Sequence, residues 1–321
     1  MKNHPTFQRV LTGSAMILGL ALSLMIREFL GAEFFDAFLL LILFFAVYEV
    51  MRATKAKDRG VKYHYVFAYL VFAYLAFWLG TFAPFDYWMH LATQLAVLLV
   101  FLVYTYFMYY VDTDTIRQCR LHKQNVGAEC RSIIIEYLKV IGYPAAFVYM
   151  LFAINHMGIG SDFLTEKVNI GLFGLLLVFV ISASTDTLAF AVGKTLKGPK
   201  LCPKISPKKT WSGAVGGLFG GVLGTLTLIW IYSRNTAFQT FFSERGFYTV
   251  EVQILFIIVG LLGSVVVQAG DIFASYIKRR HGIKDFGKIL PGHGGVMDRM
   301  DGNIVCAAFV FFVLCIIVYI L

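Results

Sequence analysis

Residues Ser275–Asp301 read SYIKRRHGIKDFGKILPGHGGVMDRMD, and they hold six Lys and Arg, three Asp and two His among glycines and a proline. The flanking stretches, 252–276 and 303–321, are among the most apolar in the chain. Each is long enough to cross a hydrocarbon core of about 30 Å as a helix. A polar run this dense has no packing role between two such spans. It reads as a functional loop at a membrane boundary, flanked by the ends of two transmembrane helices.

The same pattern recurs along the chain. Of 321 residues, 59% are hydrophobic and only 15% charged, with 31 Phe and 17 Tyr. Apolar runs at 10–26, 34–50, 63–83, 87–110, 132–155, 169–193, 212–233, 252–276 and 303–321 predict about nine transmembrane helices. The expected fold is therefore an all-α, polytopic integral membrane protein. The run following Lys2 and Arg9 reads as the first of these helices, not as a cleaved secretory signal. Two regions are expected: 1–165, with about five spans, and 166–321, with about four spans and all the chemistry-bearing loops. No polar stretch is long enough to fold as a separate soluble domain.

With a cytoplasmic N-terminus, alternation of nine spans puts 23 of the 28 Lys and Arg on the inner side and four outside, leaving Lys139 within the fifth span. That bias is the positive-inside rule and sets the expected orientation. It also accounts for the net charge of +9, so nucleic-acid binding is not indicated. The five cysteines show no ligand spacing, which argues against a disulfide framework or a zinc site.

Most basic inner loops need no function. Arg52–Lys62 reads as a topological anchor touching anionic membrane lipids. Asp112 and Asp114, at the exit of the fourth span, could form a second-tier site, and interfacial solvation explains them as well. Two regions differ. Asp186 lies within the sixth span, where a carboxylate costs about 2.5–3.5 kcal/mol at a helix centre and so needs a partner, a cavity or a cation. After it, Gly193, Gly198, Pro199, Pro203 and Pro207 should break regular helix. Ser206, Lys208, Lys209 and Thr210 then precede a glycine-rich helix whose free N–H groups would favour an anion.

The second region is the opening stretch with its flanks. On a continuous helix Asp271, Ser275, Lys278 and Arg279 share a face. A helix starting near Met297 would put Asp298 and Asp301 on one face of its first turns. Three carboxylates at one boundary suit a hard divalent ion such as magnesium, Mg²⁺, completed by substrate phosphates. Arg279 and Arg299 could bind phosphate oxygens bidentately.

These residues resemble the signature of the phosphatidate cytidylyltransferases, or CDP-diacylglycerol synthases. The family pattern is met at Ser275, Lys278, Arg279, Lys284, Asp285, Gly287, Pro291, His293, Gly294, Gly295, Asp298, Arg299 and Asp301. The segment from Asp186 through ISPKKTW resembles a second characteristic region, with Ser212 where many relatives carry Glu. The first half, to about residue 165, offers only a compatible hydropathy pattern.

The resemblance implies CTP plus phosphatidate giving CDP-diacylglycerol and diphosphate in phospholipid biosynthesis, with Mg²⁺ required. It also implies a homodimer with its active site on the cytoplasmic face, the inner membrane if bacterial. On that basis Asp271, Asp298, Lys278 and Arg279 are the expected catalytic residues. Asp271, Asp298 and Asp301 are the expected metal ligands, and a second cation is left open. Ser206, Lys208, Lys209, Thr210, Ser275, Lys284, His293 and Arg299 are expected to bind substrate, with Asp186 and Asp285 as a further candidate site. His293 is expected to donate a hydrogen bond or organise its loop instead of acting as a base. The nucleophilic phosphate, with a second pKa of about 6, is already ionised. Two other readings share some features: a transporter using Asp186, and a lipid kinase, which would leave CDP in place of diphosphate.

Overall fold

A computed structural model describes residues 5–56, 61–81, 87–112, 115–117, 119, 125–157, 169–292 and 294–319. The chain is an almost entirely helical membrane protein. Its helices are α1 (Pro5–Leu30), α2 (Ala32–Ala53), α3 (Tyr63–Thr81), α4 (Tyr87–Val111), α5 (Val126–Asn155), α6 (Ile170–Thr195), α7 (Trp211–Tyr232), α8 (Thr236–Ser243), α9 (Thr249–Arg280) and α10 (Met297–Tyr319). A hairpin of β1 (Lys200–Cys202) and β2 (Ser206–Thr210) separates α6 from α7.

Each expected span falls on one of the longer helices. Among the described residues, seven are long and apolar enough to cross a membrane: α1, α2, α4, α6, α7, α9 and α10. The apolar run of α3 is shorter, Tyr63–Leu79, and the first half of α5 carries Glu129, Arg131, Glu136 and Lys139. The count of nine is therefore not reproduced by length and apolarity alone.

The chain forms two compact units. The first takes residues up to Ala146 together with Phe286–Met297; the second takes Phe147–Asp285 and Asp298–Leu321. The residues around the expected boundary at 165 lie outside the described ones. In the first unit, the buried ring of Tyr137 joins several elements. Its hydroxyl accepts from the Lys62 backbone N–H at 2.9 Å and lies 3.2 Å from the Tyr109 hydroxyl. Asp112 caps the segment after α4, accepting from the Thr115 hydroxyl at 2.8 Å and from its N–H at 3.0 Å. These bonds hold its carboxyl below the ordinary range, so this acid is a helix cap. Asp114 lies outside the described residues.

The second unit is organised by small residues. The α7 sequence WSGAVGGLFGGVLGTL buries Gly213, Gly216, Gly217, Gly220 and Gly221. A Cβ on Gly220 would overlap the Ser184 carbonyl oxygen of α6, and one on Gly221 would overlap the Ser264 hydroxyl of α9. Between apolar helices in lipid, association depends on such close backbone approach. The caps follow from sequence: Asn169 accepts from Leu172 N–H at 3.0 Å, and Thr210 from Gly213 N–H at 3.1 Å. At the far end of α9, Gly282 adopts φ 67. Its N–H donates to the Arg279 carbonyl and that of Ile283 to the Lys278 carbonyl, both at 3.0 Å. This paired closure ends the helix and needs a residue tolerant of positive φ.

Two elements were not expected from sequence. The prolines at 199, 203 and 207 do break the helix, yet the segment pairs as a hairpin, with Lys200 opposite Thr210 and Cys202 opposite Ser206. The short α8 buries Phe238, Phe241 and Phe242, with Phe238 and Phe242 ring-packed on Phe173 and Phe256 respectively.

The close contact of α6 with α7 gives a direct test. Gly220→Ala meets a backbone oxygen that cannot swing aside, so it should destabilise the fold by about 1–3 kcal/mol, as overpacking does. The readout is the thermal unfolding midpoint in detergent. Gly19→Ala, which has nothing within 4 Å of its added carbon, serves as control, and equal midpoints would contradict the packing described.

Candidate active site

Within the second unit, α6, the hairpin, α7, α9 and α10 enclose a cavity of about 440 Å³. Its charged wall consists of Asp186, Lys194, Lys208, Lys209, Asp271 and Asp301, with Thr210, Gln268 and Ser275 beside them. Phe190, Leu201 and Ala214 supply an apolar edge. Residues 115 positions apart in sequence, Asp186 and Asp301, thus share one lining.

Two ion-pair groups set the electrostatics. Lys209 lies 3.0 Å from Asp271. The Lys278 ammonium, on the last turn of α9, lies 3.1 Å from both Asp298 and Asp301 on the first turns of α10. The side chains of Lys278 and Asp298 are only 10% and 4% exposed. Desolvated charges of this kind persist only when paired and hydrogen-bonded. Their positions also suit the helix dipoles, with a cation at a C-terminus and acids at an N-terminus.

Glycines make the approach of α9 and α10 possible. A Cβ on Gly302 would lie 2.6 Å from the Asp271 Oδ1, and one on Gly270 would lie 3.3 Å from the Asp301 carbonyl oxygen. The dipeptides Gly270-Asp271 and Asp301-Gly302 therefore face each other, each glycine making room for the opposite helix. The Gly302 N–H also donates to Asp301 Oδ1 at 3.1 Å. Gln268 spans to α7, donating to the Ala214 carbonyl at 3.2 Å. Gly270, Gly302 and Gln268 were not singled out from sequence. Their signal was present as a glycine next to each acid, in reversed order.

The sequence candidates separate into groups. Asp271, Asp301, Asp186, Lys208, Lys209, Thr210 and Ser275 line the cavity. Asp298 is not among the lining residues: it is buried and turned to Lys278. Lys278 likewise braces acids and is not part of the lining. Arg279 donates to the Ile205 carbonyl at 3.4 Å and the Ile283 carbonyl at 3.2 Å, tying the hairpin tip to the end of α9. Lys284, Asp285 and Arg299 are exposed, and Ser206 begins β2 opposite Cys202. His293 lies outside the described residues. The expected anion-binding N-terminus of α7 is partly spent internally. Its Trp211 N–H donates to the Pro199 carbonyl, and its Gly213 N–H to the Thr210 hydroxyl, both at 3.1 Å.

This arrangement can receive a phosphate-bearing ligand. Lys208 and Lys209 offer ammonium donors, acids join them from three helices, and the apolar edge suits a lipid-like group.

Comparison with known proteins gives the same direction. Residues 7–317 match the profile of the cytidylyltransferase family. A phosphatidate cytidylyltransferase of Rickettsia felis is 42% identical over 139 residues, covering 43% of this chain and 57% of that protein. One from Brucella abortus is 37% identical over 170 residues, covering 53% of this chain and 56% of the relative. One from Rickettsia typhi is 44% identical over 139 residues, with 43% and 56% covered. The chain thus spans little more than half the length of these curated relatives. With a profile match across nearly all of its residues, the chain belongs to the cytidylyltransferase family.

Proposed function

We propose that this protein is a phosphatidate cytidylyltransferase, joining CTP and phosphatidate to give CDP-diacylglycerol and diphosphate. The observation that carries this reading is the convergence of Asp186, Asp271 and Asp301 with Lys208 and Lys209 on one cavity, in a chain of this family. The names of the relatives supply the substrate pair.

Both reactants are anions, and the barrier to their meeting is largely electrostatic. A phosphatidate oxygen attacks the α-phosphorus of CTP. The bond from that phosphorus to the α,β-bridging oxygen breaks, and its electron pair leaves on diphosphate. No proton has to be removed at neutral pH, since the attacking monoester is already largely ionised. Lys209, paired with Asp271 at 3.0 Å, can exchange that partner for triphosphate oxygens, and Lys208 can take a second set. Lys278 holds Asp301 in place through its 3.1 Å contact. The apolar edge at Phe190 and Leu201 lets the acyl chains remain in the bilayer while the headgroup reaches the lysines.

The donor set fits Mg²⁺. Among the described residues no three His, Cys, Asp or Glu side chains gather into a ready cage. Mg²⁺ rarely uses one; it takes one or two carboxylates and completes its shell with water and substrate phosphates. Asp271 and Asp301 would hold it, with Asp186 on the same wall. Asp298 acts instead through Lys278, because its buried carboxylate does not line the cavity. Bound there, the ion would polarise the α-phosphorus and neutralise charge on the departing diphosphate. We place the site on the cytoplasmic face, supported by the 23 of 28 Lys and Arg that the positive-inside reading puts on that side.

Purified protein with Mg²⁺, labelled CTP and phosphatidate should yield a CDP-lipid and diphosphate; release of CDP would instead indicate a kinase. Chelation should abolish turnover and added Mg²⁺ restore it. Two lysines should separate by role. Lys278→Met strands two acids and should cost about 3–5 kcal/mol of stability, as breaking a buried pair does. Lys209→Met, at a partly exposed pair, should keep the unfolding midpoint and lose turnover by about 100-fold or more. Asp271→Asn should behave like Lys209→Met; normal turnover at saturating Mg²⁺ would contradict its role.

A further inference from the structure

Glu49 lies near the end of α2 in the apolar sequence FFAVYEVM and is 2% exposed. An acid at such a position is costly in a membrane-spanning helix unless something holds it. Its Oε2 accepts from the backbone N–H of Met297 at 3.0 Å. Met297 opens α10, so the carboxylate satisfies one of the free N–H groups of a helix start and places negative charge at the positive end of its dipole. The loop leading to that point wraps the same carboxylate. A Cβ on Gly287 or on Gly295 would overlap it.

These glycines differ from their neighbours. Gly292 and Gly294 have φ of 73 and 87, which close the turn in which Leu290 N–H donates to the Gly294 carbonyl at 2.9 Å. Gly287 and Gly295 are not among the positive-φ residues. At both positions the Glu49 carboxylate occupies the space that a side chain would take. We propose that Glu49 is a positioning residue for the reaction: its carboxylate fixes where the 286–297 loop hands over to α10, and so where Asp298 and Asp301 enter that helix. The reaction itself rests on the function proposed above; the placement of the loop does not.

The test is a double-mutant cycle with two readouts, amide hydrogen exchange at Met297 and its neighbours, and CDP-lipid turnover. Glu49→Ala should speed exchange at Met297 and lower kcat by about tenfold or more, the worth of a charge-assisted hydrogen bond, with KM for CTP within about threefold. Glu49→Gln keeps an acceptor oxygen and should retain most turnover. Gly295→Ala should mimic Glu49→Ala in the native background, because its methyl displaces the carboxylate. On top of Glu49→Ala it should add little, because the space is then open. Unchanged exchange in Glu49→Ala, or equal effects of Gly295→Ala in both backgrounds, would overturn the proposal. Should Glu49→Ala fail to fold, Gly295→Ala decides by itself, and native exchange and turnover in that variant would overturn it. A native protein that makes no CDP-lipid would refute the proposed reaction while leaving the exchange cycle to decide the role of Glu49.

Discussion

A single ammonium shared by two carboxylates at the junction of two apolar helices is the constraint around which this protein is arranged. Lys278 is 3.1 Å from Asp298 and from Asp301, so each buried charge has an opposite partner to offset its loss of solvent. The pairing joins the last turn of α9 to the first turns of α10. Each charge also lies at the helix end whose dipole favours it. Once that junction is made, Asp271 and Asp301 are brought to one cavity, and the glycines at 270 and 302 leave room for the facing helix, chiefly for the side chains of Val305 and Asp271.

Two lysines at or beside the cavity are already paired with acids. Lys209 is held by Asp271, and Lys278 by its two acids. Under the function proposed above, a phosphate oxygen would replace the carboxylate at Lys209, and Asp271 would then be available to Mg²⁺. Exchange of this sort avoids leaving any charge unpaired in a poorly hydrated pocket, where an unpartnered one would be most costly. It also separates two kinds of lysine. Lys209 is 27% exposed and has one acid partner, whereas Lys278 is 10% exposed and lies between two.

Much of this was legible in sequence. Length and apolarity marked the helices, and the i, i+3 spacing of Asp298 and Asp301 put both on the face that meets Lys278. The start of α10 at Met297 also matched. What sequence could not separate was which acids face the cavity and which face inward, since Asp298 and Asp301 look equivalent until α9 is docked. The hairpin is hidden in sequence because its prolines and lysines resemble any basic loop, and strands of three and five residues carry little periodicity. The internal use of the Trp211 N–H was equally hidden, because it depends on Pro199 folding back. Glu49 went unnoticed for a different reason: a lone acid near the end of an apolar run is the ordinary pattern of a helix reaching headgroups, and only its distant partners reveal otherwise.

Those partners explain a feature that a motif alone leaves unexplained, namely why the loop between α9 and α10 needs so many glycines. Gly292 and Gly294 adopt backbone angles that side chains rarely permit. Gly287 and Gly295 are not among the positive-φ glycines, and at both a carboxylate from α2 lies where a side chain would be. The first pair encodes the shape of the turn; the second encodes a contact with residue 49, more than 200 positions earlier in the chain. A residue outside the signature thus determines what the signature can contain.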